Sequence, residues 1–182
     1  MIYAVRHAEV SAKGLCYGQS DVPVLVAHEV AAERVQASLA AIGAAPSAIV
    51  ASPWERTLGL AEALGKRLAI REVRTDARLS ELGFGEWEGR LWSDIERDDG
   101  SRLAVWMERY LEERPPGGET VDELERRLEG FLADSVDWKG DVLVVTHAGV
   151  VRTLRRKANG TSVDTEMAIP VAHLEVHAFR FR

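Results

Sequence analysis

The most constraining feature of this sequence is a short apolar run that ends in polar residues and is followed by a helical pattern, because it recurs along the chain. The instances are residues 2–5 before Arg6 and His7, residues 47–52 with Ser52 at their end, and residues 142–146 before His147. Short, uncharged runs rich in β-branched residues are typical of buried strands. Strands that alternate with helical patterns predict an α/β fold with a mostly parallel sheet.

The remaining segments extend this alternation. Helices are predicted over residues 26–42 (ended by Gly43), 53–68 (with Pro53 at the start), 91–113 (one helix or two), 121–137 and the segment after His147. Further strands are predicted over residues 71–76 and in the alternating tail 171–182, which is typical of an edge strand.

Loops and caps separate these elements. Turn-forming residues and glycines predict loops over residues 11–23, 80–90 and 115–119. Thr120 and Glu123 have the spacing of a capping box for the helix that begins at residue 121. The sequence contains no internal repeat and no linker, so we expect a single domain over residues 1–182.

Length and charge exclude some classes of protein. The chain has 182 residues and a formal net charge of −6, which does not favour nucleic acid or an anionic membrane as a partner. No run approaches about 20 apolar residues, so we expect no membrane span. The single cysteine, Cys16, forms no intrachain disulfide, and the first residues lack the pattern of a signal peptide. These features predict a cytoplasmic protein.

The polar residues at the strand ends predict a site for a phosphate group. In α/β sheets, ligands bind at the carboxyl ends of the strands. An imidazole such as that of His7 attacks phosphorus when other groups neutralise the phosphoryl oxygens and protonate the leaving group. Arg6 and Arg56 supply planar, bidentate donors, and Glu81 is the candidate general acid. We also expect free backbone N–H groups after His147, at Ala148 and Gly149, where a helix begins.

Five motifs carry a resemblance to a known family. They are VRHAE (5–9), SPWERT (52–57), LSELGFGEWEG (79–89), PPGGET (115–120) and VVTHAGVVR (144–152). Together and in this order they resemble the histidine phosphatase superfamily, the phosphoglycerate-mutase-like proteins. The resemblance implies a three-layer α/β sandwich with a mostly parallel central sheet flanked by helices, and catalysis that uses neither a metal nor another cofactor.

The resemblance also implies a role for each matching residue. His7 would be the nucleophile that becomes phosphohistidine, and Glu81 would donate a proton to the leaving oxygen. Arg6, Arg56 and His147 would hold the phosphoryl group. The sequence departs from the family pattern where Ala8 and Val10 replace a glycine and a threonine, and we expect the site to tolerate the methyl group of Ala8.

The stretch GLCYGQSDVPV (14–24) is similar to the branch that contains the α-ribazole-5'-phosphate phosphatases of cobalamin biosynthesis. It implies a small phosphorylated metabolite as substrate, with α-ribazole 5'-phosphate the specific candidate. Substrate contacts are expected from Arg6, Arg56, His147, Ala148, Tyr17, Gln19 and Trp87. A mutase-type phosphoryl transfer and a non-catalytic phosphate-binding module remain alternatives, and both a monomer and a homodimer remain open.

Two other patterns suggest different chemistry and are weaker. Cys16 would suit a cysteine phosphatase, but Val22 stands where such an enzyme needs an arginine. His173 and His177 flank Glu175 in the tail, and on a strand all three would share one face. A metal site is conceivable there, but a solvated strand face is the favoured interpretation.

Overall fold

The computed structural model describes residues 1–135 and 138–181 of the chain. The strands are β1 (Ile2–Arg6), β2 (Ala48–Ala51), β3 (Val73–Thr75), β4 (Val142–Thr146) and β5 (Val176–Phe179). The α-helices are α1 (His28–Ala41), α2 (Glu55–Leu68), α3 (Trp92–Arg109), α4 (Val121–Ser135), α5 (Ala148–Asn159) and α6 (Val163–Met167).

The five strands form one sheet in the order β3-β2-β4-β1-β5. The pairs β1–β4, β2–β4 and β2–β3 are parallel, and only the edge pair β1–β5 is antiparallel. The predicted α/β fold with a mostly parallel sheet is therefore confirmed. Because β1, β2 and β4 run in the same direction, the residues that follow them emerge at one edge of the sheet.

Helices cover both faces of the sheet, because the side chains of each central strand are apolar on both sides. On β1, Tyr3 and Val5 are buried in the core formed with α1 and α2, whereas Ile2 and Ala4 are buried in the core formed with α4 and α5. Successive side chains of a strand point to opposite faces, and a strand that is covered on both sides is apolar throughout. This packing is the expected three-layer sandwich.

Helix boundaries follow local signals that are visible in the sequence. Gly43 has a positive φ of 66° just after α1, a conformation that glycine adopts without strain. Thr120 Oγ1 accepts a hydrogen bond from Glu123 N, and the Glu123 carboxylate accepts one from Thr120 N, which confirms the capping box. The predicted end of this helix at residue 137 lies outside the described residues.

The charged segment after residue 90 is one helix with an internal kink. Asp99 interrupts α3 with non-helical angles (φ −137°, ψ 25°). The prediction of one helix or two is thereby resolved into a single bent element. None of the described helices is both long enough and apolar enough to cross a membrane.

Candidate active site

His7 follows β1 and is 2% exposed. Its backbone N donates to Thr146 O at 3.0 Å, which extends the pairing of β1 with β4. The ring Nδ1 lies 2.7 Å from Ala8 O. Because a carbonyl oxygen only accepts, Nδ1 carries the proton and the lone pair is on Nε2. This tautomer leaves Nε2 available as a nucleophile.

The surroundings of His7 keep its ring uncharged. Burial lowers the pKa of His7 to about 3, and the positive charges of Arg56 and Arg6 act in the same direction. A neutral imidazole is the nucleophilic form, whereas an imidazolium has no free lone pair. His7 is therefore neutral over the whole physiological pH range.

His147 caps the start of α5 beside His7. The two ring centroids are 5.2 Å apart. His147 Nε2 lies 2.8 Å from Ser52 Oγ, so the ends of β4 and β2 are joined at this point. Its Nδ1 is buried and has no hydrogen-bond partner among the described residues. Burial, followed by the charge of Arg56, lowers the pKa of His147 well below its usual range.

The two arginines reach the same point from different elements. Arg56, on the first turn of α2, is 1% exposed, and it donates to Gly18 O at 2.6 Å and Ser20 O at 2.7 Å. Arg6 donates from Nη1 to Val171 O at 2.7 Å. The Nε atoms of both arginines are buried without a partner among the described residues. Arg56 Nη1 lies 3.7 Å from the half-exposed Asp21 carboxylate, but the two buried Nε atoms keep no such partner among the described residues. Buried charged donors are costly unless they are paired, so this group of cations suits a further anion.

Glu81 lies on the loop beside the start of α5. Its carboxylate oxygens both accept from Gly149 N at 3.1 Å, and Oε1 also accepts from Leu82 N at 3.1 Å. The expectation of a free Gly149 N–H is therefore wrong, because Glu81 uses that donor. A Cβ atom at position 149 would come within 2.3 Å of Glu81 Oε1, so this approach requires glycine.

The backbone of Glu81 is also fixed. Its carbonyl oxygen accepts from Gln19 Nε2 at 2.9 Å and from Arg127 Nη2 at 3.0 Å. Gln19, an expected substrate contact, thus holds the loop of the candidate acid. Arg127 was not expected from the sequence, since its position on an amphipathic helix gives no sign of a distant partner.

Of the other expected substrate contacts, two lie beside residues of the site and one is buried in a separate cluster. The Tyr17 ring lies under the Arg56 guanidinium, with 5.3 Å between the ring centroid and Cζ. Ala148 is the first residue of α5, next to His147, and is 9% exposed. Trp87 has no exposed surface and donates from Nε1 to Asp99 at 2.8 Å. Its burial in an aromatic cluster argues against the expected contact with substrate.

Cys16 is buried beneath the same loops. Burial raises the pKa of its thiol to about 12, and the nearby Glu88 carboxylate adds to this rise. A thiol with this pKa is protonated near neutral pH and is not nucleophilic. The buried thiol therefore argues against a cysteine-phosphatase mechanism, as Val22 does in the sequence.

His173 belongs to the site, although it was expected on a solvated strand face. It precedes β5, and its Nδ1 donates to His7 O at 2.7 Å. Its ring centroid lies 5.4 Å from that of His7. The tail was predicted to be a strand from residue 171, but Leu174 has a positive φ of 62°. This conformation breaks the strand alternation of side chains before β5 begins, so the pattern does not place His173 correctly. Within the described residues, no group of three or more His, Cys, Asp or Glu side chains could hold a metal ion.

All five expected catalytic residues therefore meet at the carboxyl edge of the sheet. Arg6 ends β1 and His7 follows it, Arg56 comes from α2 after β2, and His147 follows β4. Glu81 arrives from the loop after β3 and contacts the start of α5. The arrangement combines a neutral imidazole, the buried guanidinium group of Arg56, the partly buried one of Arg6 and a carboxylate, which together can hold and transfer a phosphoryl group.

This chain is similar to proteins that are already known. A bifunctional protein of Mycobacterium tuberculosis is 31% identical over 137 residues, which cover 73% of this chain and 37% of that protein. The adenosylcobalamin/alpha-ribazole phosphatase of Escherichia coli is 26% identical over 159 residues, which cover 84% of this chain and 76% of the relative. This chain therefore spans well under half the length of the mycobacterial relative.

A solved structure shares the fold. The alpha-ribazole phosphatase from Shigella flexneri superposes with a TM-score of 0.85 at 22% identity, covering 96% of this chain and 87% of that one. Residues 2–182 match the histidine phosphatase superfamily (branch 1). The match covers all five motifs and every residue of the site. The chain thus belongs to the histidine phosphatase superfamily.

Proposed function

We propose that this protein is a phosphomonoesterase that acts through a phosphohistidine intermediate. The observation that carries the proposal is the neutral, buried His7, whose Nδ1 donates a hydrogen bond to Ala8 O. Two guanidinium Nε atoms nearby, of Arg6 and Arg56, have no hydrogen-bond partner in the part of the chain that the structure describes. His7 Nε2 attacks the phosphorus, and the bond from phosphorus to the ester oxygen breaks. Glu81 gives its proton to the departing oxygen, so the product leaves as a neutral alcohol.

The second half of the reaction regenerates the enzyme. A water molecule attacks the phosphorus of the phosphohistidine, and Glu81, now a carboxylate, takes a proton from that water. The bond from phosphorus to His7 Nε2 breaks, and inorganic phosphate leaves. Arg6, Arg56 and His147 hold the phosphoryl oxygens in both steps, and a cationic pocket of this kind stabilises the charge that develops at phosphorus.

The proposed substrate is a small phosphorylated metabolite, with α-ribazole 5'-phosphate as the specific candidate. Two observations support it: the loop over residues 14–24 resembles that branch, and the Escherichia coli relative is named for adenosylcobalamin and alpha-ribazole. A cytoplasmic location and a single domain stay predictions, and the oligomeric state stays open.

The first experiment measures phosphate release from a panel of phosphomonoesters that includes α-ribazole 5'-phosphate and 3-phosphoglycerate. We expect free phosphate, whereas a mutase would return an isomer of 3-phosphoglycerate and a binding module would return neither. Quenching during turnover should trap an acid-labile, base-stable phosphate on the peptide that contains His7.

The His7→Ala variant tests the nucleophile. We expect kcat to fall below about a hundredth of the wild-type value, because no other side chain replaces the attacking nitrogen. The matched control is His28→Ala, which changes the same residue type on α1, and it should keep kcat. Retention of more than about a hundredth of kcat in His7→Ala would show that the nucleophile is another residue.

A further inference from the structure

A cavity of about 270 Å³ lies beside the candidate active site, between α3, α4, α5 and α6. Its walls are largely apolar and include three aromatic residues. The principal wall residues are Phe84, Trp106, Met107, Tyr110, Leu124 and Val163. Small-ligand sites of about 300–1,000 Å³ are typically lined in this way, with a few polar groups that fix the orientation of the ligand. The volume suits a small group that is close in size to a bicyclic ring.

Glu81 connects this cavity to the phosphate-binding residues. Its side chain lines the cavity together with Gly149, the residue whose N–H it accepts. A general acid must contact the oxygen that leaves, so the leaving group lies next to Glu81. The cavity also begins at Glu81. This shared residue favours the cavity as the space for the alcohol part of the ester.

One cation in the cavity wall differs from its neighbours. Among the arginines of α5, Arg155 pairs with Glu166 and Arg156 pairs with Glu125. Arg152 also lines the cavity and, unlike these two, forms no salt bridge with any described residue, although the charges of Glu81 and Glu166 act on it. A guanidinium group without an ion-pair partner binds well to the face of an aromatic ring or to a planar group of acceptors.

We propose that this cavity binds the leaving group of the substrate, that this group carries a flat aromatic ring system, and that Arg152 contacts the ring. The inference rests on the proposed phosphatase function and deepens it. It places the ring of the substrate in the cavity between the four helices and not at Tyr17 or Trp87, two of the expected substrate contacts. Aromatic walls and a guanidinium group that has no salt bridge to a described residue are the chemistry that recognises such a base.

The test compares two phosphate esters of the primary hydroxyl of a ribose, α-ribazole 5'-phosphate and ribose 5-phosphate, which differ by the base. For the wild-type protein we expect kcat/KM for the first to exceed that for the second at least about tenfold. Val163→Phe reduces the cavity from its half-buried wall on α6, and Arg152→Met removes the cation but keeps most of the stem. Each should lower this selectivity ratio about tenfold.

Val30→Phe is the matched control, because Val30 is 45% exposed on α1, across the sheet from the cavity. It should keep both kcat/KM values. Equal kcat/KM for the two esters in the wild type, or a ratio that both cavity variants keep, would overturn the inference while phosphate release still supports the phosphatase. If no ester in the panel is hydrolysed, the proposed function fails instead. Calorimetry with free α-ribazole then tests whether the cavity binds the leaving group. Binding that Val163→Phe weakens supports the inference, and absence of binding overturns it.

Discussion

His7 has two ring nitrogens in different surroundings, and this difference determines its chemistry. Nδ1 donates to Ala8 O at 2.7 Å, and His173 donates to the carbonyl of His7 itself at 2.7 Å. The two contacts fix the ring through its side chain and its backbone. The pKa of about 3 keeps Nε2 unprotonated. A single buried residue thus provides a neutral nucleophile inside a cationic pocket.

Glu81 has a proton-transfer role that depends on the leaving group. In Glu81→Gln the amide has nearly the same shape but cannot deliver the proton, so hydrolysis of an alkyl phosphate should slow by about 10²–10⁴-fold. The release of p-nitrophenol from p-nitrophenyl phosphate in the first turnover should slow by less than about tenfold, because this leaving group needs no proton. Burst-phase kinetics with both esters give the comparison.

Glu86→Gln is the control for this prediction, since Glu86 is an exposed carboxylate on the same loop. It should leave both reactions unchanged. An equal loss on the alkyl and the aryl ester in Glu81→Gln would contradict the role of Glu81 as the acid.

At the scale of elements, α4 and the loop of Glu81 are joined by one side chain. Arg127 pairs with Glu119 at 2.7 Å and also donates to the backbone carbonyls of Arg78 and Glu81. Both partners of the ion pair have side chains that are 18% exposed. The 3₁₀ turn Ala77–Leu79 and the Glu81 loop are thereby attached to a helix that packs on the sheet. The position of the candidate acid depends on this attachment.

We predict that Arg127→Gln lowers the free energy of unfolding by about 2–4 kcal/mol, because Glu119 is left as a largely buried, unpaired carboxylate. It should also lower kcat for an alkyl phosphate more than for p-nitrophenyl phosphate, since it releases the loop that carries Glu81. Arg127→Lys should restore part of the stability. Urea unfolding and steady-state kinetics measure these effects.

The neighbouring Arg126→Gln is the matched control. Arg126 is 70% exposed and lies 3.9 Å from Asp122. Exposed pairs of this kind contribute little, so its stability should change by less than about 0.5 kcal/mol. A loss in Arg127→Gln that is no larger than this would contradict the positioning role.

At the scale of the whole molecule, burial of neutral histidines makes folding sensitive to acid. The pKa values of His7 and His147 are lowered in the folded state, mainly by burial. Below about pH 6.5 the unfolded chain protonates these histidines and the folded chain does not. The unfolded state then binds more protons, so stability falls as the pH decreases.

We predict that the free energy of unfolding falls by about 2–4 kcal/mol between pH 7 and pH 5, since each such histidine contributes about 1.4 kcal/mol per pH unit below pH 6.5. His7→Gln should remove up to about half of this loss. Urea unfolding in buffers without phosphate measures it. A stability that is equal or higher at pH 5 would contradict the prediction.

Much of the fold and of the site follows from the sequence alone. The strand ends at Arg6, Ser52 and His147 are visible because apolar runs stop there, and a parallel sheet brings such ends to one edge. The capping box of Thr120 and Glu123 is equally local. These features depend on residues that are close together in the chain, where periodicity and capping act.

Only the tertiary structure decided the rest. Gly149 donates to Glu81 across 68 residues, and His173 reaches the carbonyl of His7 across 166 residues. Trp87 is conspicuous in the sequence but is buried away from the site, and the cavity beside Glu81 exists only because four helices pack around it. Contacts between distant segments depend on how the layers pack, and no short-range pattern records that packing. The sequence therefore determined the expected chemistry, and the packing determined which neighbours hold it in place.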